Sequence, residues 1–213
     1  QYLVSCDLGQ LHGFNYGYGD NASGGNGWWE SCANWQAYKC YPSMQFSDGE
    51  NFEGHLKLHH LNLLHEDWRY QNCFIQDYWC MMHGQDFIGR LWREATKPED
   101  PVEAYQRMNK LTQEQFNDEQ YMGYARMATW DIDGVRDYAK SRIGSHETHL
   151  HKAAANDGTW EVDSAYCPQN YGYNIINMNN AAPGTVIKAN FKGIAGAKGY
   201  RSINTDKAGW RYG

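Results

Sequence analysis

The sequence predicts an α+β protein: a mainly helical part followed by the start of a β-sandwich. Three observations carry this. Apolar residues recur at helical spacing over much of the first 140 residues. Prolines, glycines and a capping pattern punctuate those runs. From about Trp160 the helical spacing stops, and short β-branched or alternating runs take over. The boundary divides the chain into a helical domain, residues 1–162, and an incomplete β-sandwich domain, residues 163–213.

In chain order, "QYLVSCDL" reads as the end of a buried helix, and "HGFNYGYGDNASGGNG" as a Gly/Asn-rich loop too long for a simple turn. Residues 28–40 read as a helix from the spacing of Trp28, Cys32 and Trp35, with Pro42 just beyond its end. A second helix is expected over about 52–66, with Phe52, Leu56, His59, His60, Leu63 and Leu64 as its buried stripe. A third covers about 72–95 with a break at Gly84. Pro101 suits the first turn of the next helix. Thr112 opens "TQEQ", a T-x-x-Q capping box at the head of a long helix through Met127. "DGVRDYAKSRI" resumes the helical register, with Asp131 or Asp133 as its cap. "GYNIINMN" and "GTVIKANFKG" read as strands.

Composition narrows the function. Apolar residues reach 41%, enough for a core, while only 21% are charged and Tyr and Trp are abundant. That balance fits a secreted protein that meets polar polymers. A net charge of -6 with interspersed signs provides no basic patch for nucleic acid. No apolar run approaches the ~20 residues that span a bilayer. The abrupt "QYLVSC" start and "GWRYG" end read as those of a fragment. Cys73 and Cys80 lie seven apart in a helical run, about 10 Å along its axis, too far to bridge. Most of the six cysteines are expected to be buried free thiols.

The chemistry turns on "NGWWESCANW". On a helix Glu30 and Ala33 share a face, and the small alanine lets another helix approach the carboxylate. The plain alternative is an N-terminal acid favoured by the helix dipole. No H-E-x-x-H is present: "HEDWR" has Arg69 where the second histidine would stand, and His146–His149 is one residue short. His55, His59, His60 and His65 are interleaved with leucines, which favours core histidines over ligands. His65, which ends that run beside Glu66, Asp67 and Tyr70, is with Tyr70 the best functional candidate of the group. Tyr16, Tyr18, Trp28 and Trp29 are candidates to line a substrate cleft, or else form a structural aromatic cluster.

"WWESCA" resembles the third-ligand helix of gluzincin metallopeptidases, an aromatic-x-E-x-x-A stretch that follows an H-E-x-x-H helix. Together with "HEDWRYQNCFIQDYW", "DFIGRLWREATKPEDPVEAYQRMNKLTQEQFND", "ARMATWDIDGVRDYA" and "YGYNIINMN", it resembles the Svx/AvrXca-type secreted virulence proteins over nearly the whole chain. The resemblance implies a gluzincin-like zinc metallopeptidase acting on polypeptide or glycoprotein, with Glu30 as one metal ligand. The two histidines and the general base would lie upstream, so zinc is expected in the intact protein and not in this fragment alone. The rival readings are an extracellular carbohydrate-binding or carbohydrate-active protein and a non-catalytic virulence factor on a peptidase scaffold.

Overall fold

The computed structural model describes residues 26–47, 49–96, 99–155, 157–178, 181–193, 198–199, 204, 206 and 208–213. The expectations for the first helix end, the Gly/Asn-rich loop and Cys6 lie outside the described residues. The described part is mainly helical with one two-stranded antiparallel sheet, an α+β protein. Its helices are α1 (Asn26–Cys40), α2 (Met44–Ser47), α3 (Gly49–Leu58), α4 (Phe74–His83), α5 (Phe87–Glu94), α6 (Pro101–Asn109), α7 (Gln113–Ala128) and α8 (Arg136–Ala139). A 3-10 turn, Glu66–Trp68, separates α3 from α4.

Helix α4 runs through the middle of the core: every residue from Phe74 to Cys80 is buried. An apolar surface all round is what a central helix needs. Trp79 lies between Trp28 of α1, at 5.3 Å, and Tyr105 of α6, at 4.3 Å between ring centroids. Helix α1 buries Trp28, Cys32, Trp35 and Tyr38, and polar contacts then fix its register on α4. The indole of Trp35 donates to Asp77 at 3.1 Å, Lys39 pairs with the same carboxylate, and Ser31 donates to the Asn72 carbonyl. Burial pushes the Asp77 carboxyl up, and Lys39 opposes that shift.

The chain punctuation acts as read. Gly84, at φ +99, ends α4 in a conformation that a side chain disfavours, and α5 starts three residues on. Thr112 and Gln115 form the expected capping box, and Asp100 and Glu103 form another around Pro101. Gly123 brings α7 close to α4, since a Cβ there would lie 2.7 Å from the Tyr78 ring.

Three expectations are corrected. The helix over 52–66 stops at Leu58, because the carbonyls of His59 and His60 accept hydrogen bonds from the amides of Tyr173 and Gln169 instead of from a further helical turn. Neither Asp131 nor Asp133 caps α8, whose first flanking residue is Val135 with no side-chain cap; Asp131 is held between Arg126 and Arg136. The strands lie earlier than expected. β1 (Leu150–Lys152) pairs with β2 (Trp160–Val162), Leu150 opposite Val162. Among the described residues of 166–193 there is no strand. Extended patterning was legible there, but a strand also needs a ladder partner. Gln169 and Tyr173 spend their amides on the 59–60 turn, and 184–193 lie exposed. Of the described cysteines all five are free: Cys32, Cys73 and Cys80 are buried, Cys167 is half-buried and Cys40 is exposed.

Candidate functional site

Positions 27, 30 and 34 form one stripe of α1, each a turn from the next. That stripe faces the 64–70 turn. A Cβ at Gly27 would meet the Leu64 carbonyl oxygen at 2.6 Å, so glycine permits the close approach. One turn past Glu30, the Asn34 amide donates to the Tyr70 carbonyl at 2.9 Å. Glu30 therefore sits between two points of contact with the turn that carries His65 and Tyr70. Glu30 and the His65–Tyr70 turn, some thirty-five to forty positions apart in sequence, come to one place.

The turn itself is ordered by its own polar groups. The Nδ1 of His65 accepts from the Asp67 amide at 3.1 Å, which in the neutral ring leaves the proton on Nε2 as a donor. Arg69 donates to the Glu66 carbonyl at 2.8 Å and lies over the Tyr70 ring, 4.9 Å from its centroid. Its pKa is raised first by Tyr70, with Glu66 and Glu30 adding to the effect. Arg69 is thus a member of the group that sequence reading missed, having entered only as the residue that breaks a zinc motif. Tyr70 is 39% exposed, so its ring is reachable from solvent.

The aromatic candidates separate. Trp28 is 1% exposed and belongs to the core, tilted against Trp79. Trp29 is half-buried, edge-on to Trp92 at 6.0 Å. Tyr16 and Tyr18 lie outside the described residues.

The histidines of "HLKLHHLNLL" are core residues. His55, His59 and His60 are all buried, together with His146 from the far side of the chain. Among the described residues no three His, Cys, Asp or Glu side chains are placed to hold a metal ion. The reason is visible at His55, whose two ring nitrogens already face the Gln71 carbonyl at 3.1 Å and the Tyr173 hydroxyl at 2.8 Å.

A second polar group was not read from the sequence. His83 at the end of α4 meets Glu119 of α7 at 2.9 Å and the Tyr105 hydroxyl at 2.6 Å, and Tyr105 also donates to Glu119. Glu119 borders an open cleft of ≈ 290 Å³ that Tyr78, Met82, Met122 and Arg126 help to line. The three residues come from three helices, and no local pattern joins them.

Fold and site together define a mainly helical α+β protein with a carboxylate-bearing helix docked on a His/Arg/Tyr turn. The chain belongs to the family of unknown function DUF6055, whose profile matches residues 1–213. No curated protein and no solved structure matches it. No helix among the described residues is long and apolar enough to cross a membrane.

Proposed function

We propose that the chain is part of a secreted zinc metallopeptidase of gluzincin-like type, acting on polypeptide or glycoprotein. In this reading, residues 1–162 form part of the catalytic domain and 163–213 begin a β-sandwich. The observation that carries it is the docking of the Glu30 stripe of α1 onto the turn bearing His65 and Tyr70. The described residues do not by themselves form a three-ligand centre. In this reading Glu30 would supply one carboxylate, and the remaining ligands would come from outside the described residues. Bound zinc would act as a Lewis acid on the peptide carbonyl. The chain's own residues do the rest. With Nδ1 holding the Asp67 amide, His65 would offer its other ring nitrogen to an oxyanion, and the exposed Tyr70 would offer its hydroxyl. Arg69, lying over Tyr70, orients that ring.

The test is Glu30→Gln in the full-length protein. The amide is nearly isosteric but a far poorer zinc ligand, so metal content and peptide hydrolysis should fall together while the far-ultraviolet circular dichroism stays unchanged. Full metal occupancy and full activity in the variant would remove Glu30 from the metal and leave it as a partner of Arg69.

One observation favours a second reading, carbohydrate binding. Phe191, Trp210 and Tyr212 are 40–66% exposed, and Phe191 lies 5.5 Å from Trp210 and 5.1 Å from Tyr212. Aromatic faces of this kind stack on sugar rings. Retention of the protein on insoluble polysaccharide, lost in Trp210→Ala with proteolysis absent, would decide for it.

A further inference from the structure

The buried histidines have no role in the proposed reaction, and their arrangement is unusual for a core. His55 and His59 come from α3 and the turn after it, and His146 from the segment after α8. His146 lies 5.1 Å from His59 and 6.1 Å from His55 between ring centroids. Tyr173 closes the cluster, 4.9 Å from His59 and hydrogen-bonded to His55. His60 lies beside it, against Tyr166 at 5.1 Å. Both ring nitrogens of His59, and Nδ1 of His60 and of His146, are buried without a hydrogen-bond partner. Buried polar atoms of this kind are few in native cores.

Among the described residues the surroundings show no counter-charge. From α3 the neighbouring charged groups are Glu53 and Lys57, and from the segment after α8 they are Arg142 and Glu147. These pair with one another at the surface, Lys57 with Glu147 and Glu53 with Arg142. The 166–173 segment contributes Tyr166, Tyr171 and Tyr173, and α7 contributes Tyr124. The 3-10 turn, α4 and the turn after α7 contribute Trp68, Phe74 and Trp130. The charged groups that act on the four imidazoles are other imidazoles: His59 and His146 on His55, His60 on His59, His59 on His146, and His65 and His149 on His60.

This cluster is also where a distant segment is fastened. The Gln169 amide donates to the His60 carbonyl at 2.8 Å and the Tyr173 amide to the His59 carbonyl at 2.9 Å. The Asn62 amide donates to the Gln169 side chain at 3.0 Å, and the Glu147 amide to the Leu56 carbonyl at 2.9 Å. Between Gln169 and Tyr173, Gly172 lies against the same turn.

We propose that the four buried histidines form an acid-sensitive latch that holds residues 166–173 on the 59–62 turn and releases them when the imidazoles take up protons. A second proton in the cluster meets like charge and, among the described residues, no acid, and the cheapest relief is to let Tyr173 and its segment leave. Burial holds His59 down to about 4 and His146 to about 3, and it also lowers His55 and His60. The closed state therefore binds fewer protons than the open one. The latch is fully stable above the ordinary histidine value of about 6.5. It weakens as pH falls below that value, until the closed-state values are reached. Each such histidine increases the opening equilibrium by up to roughly tenfold per pH unit in that window.

Hydrogen exchange of the intact protein at pH 7 and pH 5, expressed as protection relative to the free peptide rate, reads this directly. The Gln169 and Tyr173 amides should lose protection by tenfold or more, while the buried amides of α4 and α7 hold theirs. The double variant His59→Phe/His146→Phe keeps the ring packing and should flatten that dependence. If it does not fold, His146→Phe alone carries the same comparison. Equal loss at all amides would mean that acid unfolds the whole domain and would overturn the latch. So would unchanged protection at Gln169 and Tyr173, or a variant with the same pH response as the wild type.

Discussion

Gly172→Ala tests how the 166–173 segment is held, and its expected magnitude follows from geometry. A Cβ at this position would lie 2.7 Å from the His60 carbonyl carbon and 2.8 Å from the Leu61 carbonyl oxygen, and closest to the His60 oxygen. All three are backbone atoms, and the His60 carbonyl already accepts from the Gln169 amide, so no flexible neighbour can give way. Relief requires the segment to move outward. That movement breaks the Gln169–His60 and Tyr173–His59 hydrogen bonds and the Asn62 bond to Gln169, about 1 kcal/mol each. It also begins to expose Tyr173, which is only 8% exposed. Full exposure of a large apolar side chain costs about 1.5–3 kcal/mol. With partial relaxation the expected loss is about 2–4 kcal/mol in urea denaturation. The control is Gly89→Ala in the interior of α5, where the nearest atom to the new methyl is an Arg93 guanidinium nitrogen at 3.3 Å, the far end of a flexible side chain. There the helix preference of alanine, up to about 1 kcal/mol, should leave stability equal or higher. A Gly172→Ala protein as stable as wild type, or more stable, would refute the tight docking of this segment.

Lys39→Met leaves Asp77 buried with only the neutral partners Trp35 and Gln45, and should cost about 1–3 kcal/mol at pH 7 once the partial exposure of Lys39 is allowed for. Because the carboxyl can then neutralise itself, the gap to wild type in urea denaturation should narrow as pH falls from 7 toward 4; a gap that widens would show that Asp77 is not the group left unpaired. Isothermal titration of the 213-residue chain with zinc should show weak binding or none if, as proposed, this chain supplies only the Glu30 ligand. Tight one-to-one binding would place a metal site within this chain and contradict the supply of ligands from elsewhere.

What the sequence by itself determined is local. The capping box at Thr112, the proline at the head of α6, the break at Gly84 and the Trp28–Cys32–Trp35 face of α1 depend on groups within one or two turns of each other. Such interactions survive in any tertiary setting, so their patterns can be read directly. The helix end at Leu58 could not be read this way, because the competing donors sit more than a hundred residues later, at Gln169 and Tyr173. Asp131 lost its capping role to two arginines that only the packing of α7 and α8 brings together. The strand assignments failed for the same reason: alternation marks an extended backbone, while a ladder depends on which segment lies alongside. At the candidate site the sequence marked Glu30, His65 and Tyr70 as chemical types. Tertiary structure decided that one stripe of α1 faces the 64–70 turn, brought in Arg69 and Asn34, and placed Trp28 in the core. The physical division is between interactions closed within a few residues and those whose partner is set by how the helices pack.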